Sequence, residues 1–408
     1  MRDGWDVKML GDVLSIERGG SPRPIKKYLT NSTDGINWIK ISDATASDKY
    51  IYETKEKITK DGLHKTRVVN EGDFILSNSM SFGRPYIMRT TGCIHDGWLV
   101  LKQNGEKKFE TEFLYYLLSS PFVFQQFNSK AAGSTVRNLN IALVSSVNVP
   151  LPPLFEQKRI VAILDKAFAA ISKAKANAEQ NLKNIKELFE SYLQGVFENK
   201  GEGWEEKEFG DVITTLTDYH ANGSYKILKK NVELKDSDDY AWMVRSTDFE
   251  KNFQNDFKYV DKHGYDFLNK SKIVGNEIIM SKIGNAGNVY LMPEIDRPCS
   301  LAMNLFLIRM DEKKVIPGYI FRYLKTNNGE TQIKARLKGA TTKTITKDNV
   351  RNIIIPIPSI KEQKTIINKT DALSTETKKL EAIYQQKIED LEELKKSILQ
   401  KAFNGELT

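Results

Sequence analysis

The sequence consists of two similar halves. Pro150-Leu151-Pro152 followed by Glu156-Gln157-Lys158 has a second copy, Pro356-Ile357-Pro358 followed by Glu362-Gln363-Lys364, which begins 206 residues later in a chain of 408. The same offset relates further identical pairs: Cys93 and Cys299, Leu99 and Leu305, Gly133 and Gly339, Leu188 and Leu394, Ser191 and Ser397, Gln194 and Gln400, Phe197 and Phe403. The offset is slightly smaller near the start of each copy, where Trp5 matches Trp204 and Trp38 matches Trp242. A tandem repeat this long predicts two similar domains related by an approximate twofold axis.

The composition favours a polyanionic partner, although only mildly. The 61 Lys and Arg residues exceed the 53 Asp and Glu residues, which gives a net charge of +8. The two cysteines occupy matching places in the repeats, so we expect small buried residues rather than a disulfide or metal ligands. The apolar runs are far shorter than the roughly 20 residues that span a bilayer, and residues 1–6 lack the character of a signal peptide. The sequence therefore predicts a soluble cytoplasmic protein without a membrane partner.

Each copy has a mixed half followed by a helical half. Residues 1–154 and 200–360 contain short β-branched and aromatic runs separated by Gly, Asn, Asp and Pro, which is typical of compact α/β domains. The expected strands include Ile36–Ile41, Asp73–Leu76 and Trp98–Leu101, with counterparts at Ala241–Val244, Glu277–Met280 and Leu305–Ile308. A short helix is expected near Glu112–Leu118. The predicted fold class is α+β, with two globular α/β domains in a pseudo-twofold repeat.

One long helix of about 40 residues is predicted in each helical half, at residues 155–199 and 361–408. Apolar side chains recur in steps of three and four, as in a coiled coil, and such a stripe needs a partner. The predicted partner-binding residues are Ile160, Leu164, Ile171 and Leu182 in the first helix and Ile367, Leu373, Leu380 and Leu391 in the second. The nearest available partner is the other helix. Antiparallel pairing follows if the repeats obey a twofold axis.

Catalytic motifs are missing from the sequence. It has no Gly-rich phosphate-binding loop, no dinucleotide-binding fingerprint and no nucleophile elbow, and its four histidines lack the spacing of metal ligands. We therefore expect no cofactor, no metal and no catalytic residue, and a role in binding.

The two copies share their scaffold and differ in their polar loops. Arg and Asn side chains can each bind a base edge with two hydrogen bonds, whereas hydroxyl groups and Lys contact phosphates. Two like domains with different loops would read two different short sequences, although any one of these residues could instead belong to an ordinary polar turn. His95 and Asp96 could equally form a local hydrogen bond. The candidate DNA-binding residues are Arg18, Ser21, Arg23, Ser77, Asn78, Ser79, Ser81, Arg84, His95, Arg137 and Asn138 in the first copy, and Tyr219, His220, Asn222, Arg245, Ser281, Lys282, Asn285, Lys343 and Thr344 in the second.

The whole chain resembles the specificity subunit of type I restriction-modification systems. The resemblance rests on Val149-Pro150-Leu151-Pro152 leading into Glu156-Gln157-Lys158, on its second copy, on Gly72-Asp73-Phe74-Ile75-Leu76-Ser77 and on the ending at residues 399–408. It implies that residues 1–154 and 200–360 are target recognition domains and that residues 155–199 and 361–408 are spacer helices. Each domain would read one half of an interrupted, asymmetric site in double-stranded DNA.

The resemblance also implies the partners. Two modification subunits would dock on the helices and domains and methylate adenine at N6, flipping the target base. Two ATP-dependent restriction subunits would complete the nuclease, and the chain itself would be non-catalytic.

Two other classes of protein remain open from the residues alone. One is an enzyme: the recognition part of a fused methyltransferase-endonuclease, or an unrecognised DNA-processing enzyme that uses carboxylates such as Asp73 or Asp96. The other is a coiled-coil scaffold, which leaves the divergent loops unexplained.

Overall fold

A computed structural model describes residues 4–78, 82–103, 105–131 and 138–407. The chain divides into two compact units, the first formed by Met1–Glu179 with Gln385–Thr408 and the second by Gln180–Tyr384. Each unit therefore contains one mixed α/β domain and segments of both long helices.

The first unit is built on two five-stranded sheets, with strand orders β3-β6-β4-β10-β7 and β2-β11-β8-β9-β5, and a two-stranded sheet β1-β12. Its strands are β1 (Asp6–Met9), β2 (Ser15–Arg18), β3 (Leu29–Thr30), β4 (Ile36–Ile39), β5 (Tyr50–Ile51), β6 (Glu56–Ile58), β7 (Arg67–Val69), β8 (Phe74–Ser77), β9 (Pro85–Met88), β10 (Gly92–Ile94), β11 (Trp98–Lys102) and β12 (Asn148–Leu151). Its helices are α1 (Leu10–Val13), α2 (Ile41–Thr45), α3 (Thr111–Leu118), α4 (Pro121–Lys130) and α5 (Ile141–Ser145), followed by the start of α6 (Leu154–Glu198).

Strands β8 and β11 are buried on both faces, which explains their continuous apolar sequences. Leu76 and Leu99 point into a core shared with α3, α4 and the long helices. Ile75 and Val100, one residue along, point into a second core between the two five-stranded sheets. The alternation follows from the two-residue period of a strand. Each face of the sheet that contains β8 and β11 therefore packs against its own hydrophobic core.

The second unit repeats this plan with two four-stranded sheets, ordered β14-β21-β18-β19 and β16-β15-β20-β17, and a two-stranded sheet β13-β22. Its strands are β13 (Glu205–Glu208), β14 (Ile213–Asp218), β15 (Ala241–Val244), β16 (Tyr259–Val260), β17 (Lys272–Ile273), β18 (Ile278–Ser281), β19 (Val289–Leu291), β20 (Cys299–Leu301), β21 (Leu305–Met310) and β22 (Ile354–Ile357). Its helices are α7 (Tyr225–Asn231), α8 (Ser246–Glu250), α9 (Lys262–Phe267), α10 (Pro317–Leu324), α11 (Asn327–Ala335), α12 (Lys347–Arg351) and the start of α13 (Ile360–Asn404).

The repeat seen in the sequence is a repeat of strand pairing. Trp38 lies opposite Cys93 on parallel strands β4 and β10, and Trp242 lies opposite Cys299 on parallel strands β15 and β20. Both cysteines are buried free thiols, as predicted. Trp38 is buried, whereas Trp242 is half-buried and stacks on Phe257.

The long helices α6 and α13 run antiparallel to each other within each unit, which confirms the predicted pairing. In the first unit, Arg159 donates a hydrogen bond to the main-chain oxygen of Leu407, and Lys175 pairs with Glu392 at 2.5 Å. In the second unit, Asn181 donates to the Tyr384 hydroxyl at 3.2 Å. Residue numbers rise along α6 as they fall along α13, so the two directions are opposed.

The shared Glu-Gln-Lys motif attaches each domain to its long helix. Gln157 is fully buried: its Oε1 accepts from the Glu110 amide at 2.7 Å, and its Nε2 donates to the carbonyls of Lys108 and Pro152, both at 2.9 Å. In the second unit, Gln363 makes the same three bonds, with the amide of residue 316 and the carbonyls of residues 314 and 358. Because a buried main-chain group needs a partner, this one side chain fixes two loops to the first turn of the helix.

Candidate nucleic-acid interface

The candidate loops of the first unit meet at one end of a single sheet. Strand β2 ends at Arg18, opposite Leu99, and β8 ends at Ser77, opposite Trp98, where β11 begins. The loops that follow β2 and β8 therefore leave the same edge as the turn that precedes β11. This places Arg18, Ser21, Arg23, Asn78 and His95 together at one edge of the sheet.

Asp96 is the centre of this loop cluster. Its carboxylate accepts from the Ser21 hydroxyl at 2.8 Å and from the Arg23 guanidinium at 3.1 Å. Its main-chain oxygen accepts from Arg18 Nε at 3.1 Å and from Asn78 Nδ2 at 2.8 Å. The hydrogen bond from Ser21 lowers the pKa of Asp96, so the carboxylate is ionised at neutral pH. From the sequence, His95 and Asp96 could make either a base contact or a local hydrogen bond, and Asp96 was not among the candidate DNA-binding residues.

Two of the candidates have structural roles within this cluster. Asn78 is buried, and its side chain is held by the Asp96 carbonyl. Burial lowers the pKa of His95, and its Nδ1 accepts from the Gly97 amide at 2.9 Å. The imidazole is therefore neutral at pH 7, and the local hydrogen bond that the sequence left open is present.

Other candidates of the first unit lie around this cluster. Arg84 is exposed and faces the Asp48 carboxylate at 3.5 Å, and its amide donates to the buried Ser77 hydroxyl at 3.1 Å. Asn138 is exposed. Ser79, Ser81 and Arg137 lie outside the described residues.

An apolar hollow of about 590 Å³ adjoins the cluster. Its lining includes Trp38 and Ile25 together with Arg23, Lys40 and His95. Lys40 is paired with Glu56 at 2.7 Å. The surface thus combines cations with an apolar depression, and apolar contact with a thymine methyl is one way in which proteins read bases.

The second unit brings its candidate loops to the equivalent edge. Strand β14 ends at Asp218, opposite Phe306, and β18 ends at Ser281, opposite Leu305, where β21 begins. The Lys282 ammonium pairs with Asp218 at 2.8 Å. Burial would raise the pKa of Asp218, but the hydrogen bond and the charge of Lys282 outweigh it, and the pKa is lowered.

The remaining candidates of the second unit divide into supports and exposed groups. Tyr219 is buried, Asn222 binds the Ser271 hydroxyl at 2.8 Å, and Arg245 forms an ion pair with the buried Asp248 at 2.7 Å. The exposed candidates are His220, Asn285 and Lys343, with half-buried Thr344 bridged to Ile283.

The apolar residues predicted to bind a partner lie mainly on the paired faces of the long helices. Ile160, Leu164 and Ile171 are buried in the first core together with Phe403, and Leu391 packs against it. Ile367 packs against the core of the second unit. Leu182 and Leu373 are half-buried, whereas Leu380 is 43% exposed.

Neither a cluster of metal-ligating side chains nor a membrane-spanning helix is found among the described residues. Groups of three or more His, Cys, Asp or Glu side chains that could hold a metal ion do not occur among them. Within the same part of the chain, every helix is too short or too polar to cross a membrane.

Comparison with known sequences identifies one family. The profile described as type I restriction modification DNA specificity domain matches twice, over residues 2–182 and 201–392. The chain is 25% identical to the specificity subunit of the type I restriction enzyme EcoBI from Escherichia coli, over 100% of this chain and 87% of that protein. It is 26% identical to a putative type I restriction enzyme MjaX specificity subunit from Methanocaldococcus jannaschii, over 99% of this chain and 94% of that protein.

Two solved structures share the fold over the whole chain. A chain from a study of complex assembly and conformational transition in the type I R-M system superposes with a TM-score of 0.78 at 19% identity, covering 100% of this chain and 99% of that one. The crystal structure of the HsdS subunit from Thermoanaerobacter tengcongensis gives 0.63 at 21% identity, covering 100% and 98%. The predicted arrangement of α/β domains and long antiparallel helices is therefore confirmed as a known fold.

Proposed function

The chain belongs to the type I restriction modification DNA specificity family. We propose that it selects the DNA sequence to which a type I restriction-modification complex binds and carries no catalytic site of its own. Each unit reads one half of an interrupted, asymmetric site in double-stranded DNA. The observation that carries this proposal is the pair of loop clusters, which leave the same edge of matching sheets but present different side chains.

The exposed cations of the loop clusters support contact with the DNA grooves. Arg23 is exposed in the first unit, and Lys343 is exposed in the second. An exposed Arg can bind guanine with two hydrogen bonds, whereas Lys meets a base or a phosphate as a point charge. Two surfaces with different donors read different bases, which accounts for an asymmetric site.

The domain limits are part of this proposal. We assign residues 1–154 and 200–360 to the two target recognition domains and residues 155–199 and 361–408 to the spacer helices. The helices α6 and α13 support this division, because each begins within one or two residues of the assigned limit. A helix rises about 1.5 Å per residue, so helix length sets the number of unread base pairs between the half-sites.

The partners follow from the relatives, which are named as subunits of type I restriction enzymes. We propose two modification subunits, which methylate adenine at N6, and two ATP-dependent restriction subunits, with the long helices as docking sites for the former. A cytoplasmic location fits this role, since the DNA is there and the two buried thiols remain free.

A binding selection on random double-stranded DNA, made with the complex of this chain and its modification subunit, tests the assignment of the units. Arg23→Ala and Arg84→Ala should relax only the first half-site, and Lys343→Ala should affect only the second. Lys107→Ala, which removes an exposed cation beyond the far end of β11, is the control. Equal loss at both half-sites would instead make these residues phosphate contacts or supports of the fold.

A change in helix length tests the spacer. Insertion of about four residues into α6, matched by four in α13, adds roughly 6 Å at 1.5 Å per residue. The selected sites should then keep both half-sites and gain unread base pairs. An unchanged spacer would contradict the role of the helices.

A further inference from the structure

The ion pair between Arg23 and Asp96 lies at the protein surface, unlike a pair that supports the interior of a fold. The Arg23 side chain is 80% exposed and the Asp96 side chain 44% exposed, with 3.1 Å between guanidinium and carboxylate. An exposed pair of this kind contributes little to folding stability, typically about 0–1 kcal/mol. Its value must be sought in what the two groups present together at the surface.

Asp96 is held in place before any ligand binds. Its carboxylate is anchored by the Ser21 hydroxyl, and its main chain is anchored by Arg18 and Asn78. Arg23 contacts the carboxylate through one terminal nitrogen. A guanidinium has five N–H donors in a fixed plane, so the donors that do not face Asp96 remain available to a ligand beside the carboxylate.

The Asp96 carboxylate disfavours contact of this pair with the phosphate backbone and favours contact with the base edges. An ionised Asp96 beside Arg23 repels phosphate, which makes this pair a poor phosphate clamp. A cytosine amino group is a donor in the major groove, and carboxylates accept from it. Thymine presents an acceptor, O4, at the corresponding place, and the same carboxylate repels it.

The combination matches one base pair. Guanine offers N7 and O6 as acceptors, which Arg binds with two hydrogen bonds, and its partner cytosine offers the amino donor. We propose that Arg23 and Asp96 together read a single G·C base pair in the half-site of the first unit, with the guanidinium on guanine and the carboxylate on the cytosine amino group. This inference rests on the proposed function and adds Asp96 as a specificity-determining residue.

The second unit provides an internal contrast. Its Lys282–Asp218 pair lies at the equivalent edge, but the Asp218 side chain is only 11% exposed, against 44% for Asp96. This pair therefore offers much less of its carboxylate to a base edge than the Arg23–Asp96 pair of the first unit does.

The test begins with the recognition motif of the wild-type complex and then compares Arg23→Gln with Asp96→Asn. Discrimination at one G·C position of the first half-site should fall about tenfold or more in both variants, with the second half-site unchanged. Glu71→Gln is the matched control, because it neutralises the exposed carboxylate of the Glu71–Arg89 pair, just before β8 and at the strand's other end.

The first part of a second measurement uses only the wild-type complex, so it does not depend on how the variants fold. Each guanine of the first half-site is replaced in turn by 7-deazaguanine, which lacks the N7 acceptor, and wild-type binding is measured. One position should lose affinity, and Arg23→Gln should be insensitive to the replacement there. The inference is overturned if the two variants relax different positions, if neither changes discrimination, or if the first half-site contains no sensitive guanine. A wild-type complex without a two-part motif overturns the proposed function instead, and this inference with it.

Discussion

Replacing Gln157 by Leu removes the side chain that ties the first domain to α6. Leu has a similar volume but cannot donate or accept. The amide of Glu110 and the carbonyls of Lys108 and Pro152 each lose a hydrogen bond that lies between 2.7 and 2.9 Å. The position is fully buried, so water does not replace the lost partner.

The size of the effect follows from these three bonds. A typical buried hydrogen bond contributes about 1 kcal/mol net, and an orphaned group costs more. We expect the first unit to lose about 3 kcal/mol of stability. For a unit of this size, that loss corresponds to a fall in its Tm of about 6–12 °C. Gln363→Leu should have the same effect on the second unit, because its bonds are the same.

Hydrogen exchange on the full chain measures this effect unit by unit. Protected amides of the first unit should exchange about 100-fold faster in Gln157→Leu, since each 1.4 kcal/mol is a factor of ten. Amides of the second unit should be unaffected, and Gln363→Leu should give the reverse pattern. Gln180→Leu is the control, because the Gln180 side chain is exposed on α6 and donates to Asn184 one turn along the same helix. Exchange that is unchanged in Gln157→Leu, or a loss shared equally by both units, would refute the reasoning.

Three further outcomes are expected. Gly287→Ala should destabilise the second unit by more than 1 kcal/mol in chemical denaturation, because Gly287 has a φ of +89° and its added Cβ would lie 2.4 Å from Ile333. Gly284→Ala is the control: Gly284 has a φ of +82° with open space around it, so this substitution should cost less. Burial raises the pKa of Cys93 to about 11 and that of Cys299 to about 12, so neither thiol should react with a thiol reagent at pH 8 until the chain is denatured; rapid labelling of the folded chain would be inconsistent with these cores. Burial lowers the pKa of His95, so the unfolded state binds a proton more readily and the free energy of unfolding should fall as pH drops through about 6.5. A His95→Gln variant should show a shallower decline in stability. An identical pH profile in the variant would contradict the lowered pKa of His95.

The elements that could be predicted from the sequence are those fixed by local pattern. The run at Trp98–Leu101 predicted a strand, and β11 spans Trp98–Lys102. Apolar steps of three and four residues predicted two long helices, and the structure gives α6 and α13 with 45 residues each. These patterns depend on neighbours within a few residues, which a sequence shows directly.

The parts that could not be predicted depend on contacts between distant residues. The role of Gln157 was hidden, because its partners at residues 108 and 110 are more than 45 positions away. From the sequence, Asp96 could take part in a local hydrogen bond or serve as a catalytic carboxylate, and its position at the centre of the cluster arises from partners about 75 residues away. The divergence of loops between copies predicted a recognition surface but could not separate buried supports such as Asn78 from exposed groups such as Arg23.

The most direct test of the account is methylome sequencing of a methylation-free host that expresses this chain with the modification subunit of its own system. We expect a split, asymmetric motif with N6-methyladenine on both strands and a fixed number of unread base pairs between its halves. A continuous motif would contradict the assignment of one half-site to each unit, and a complete absence of methylation would contradict the proposed function.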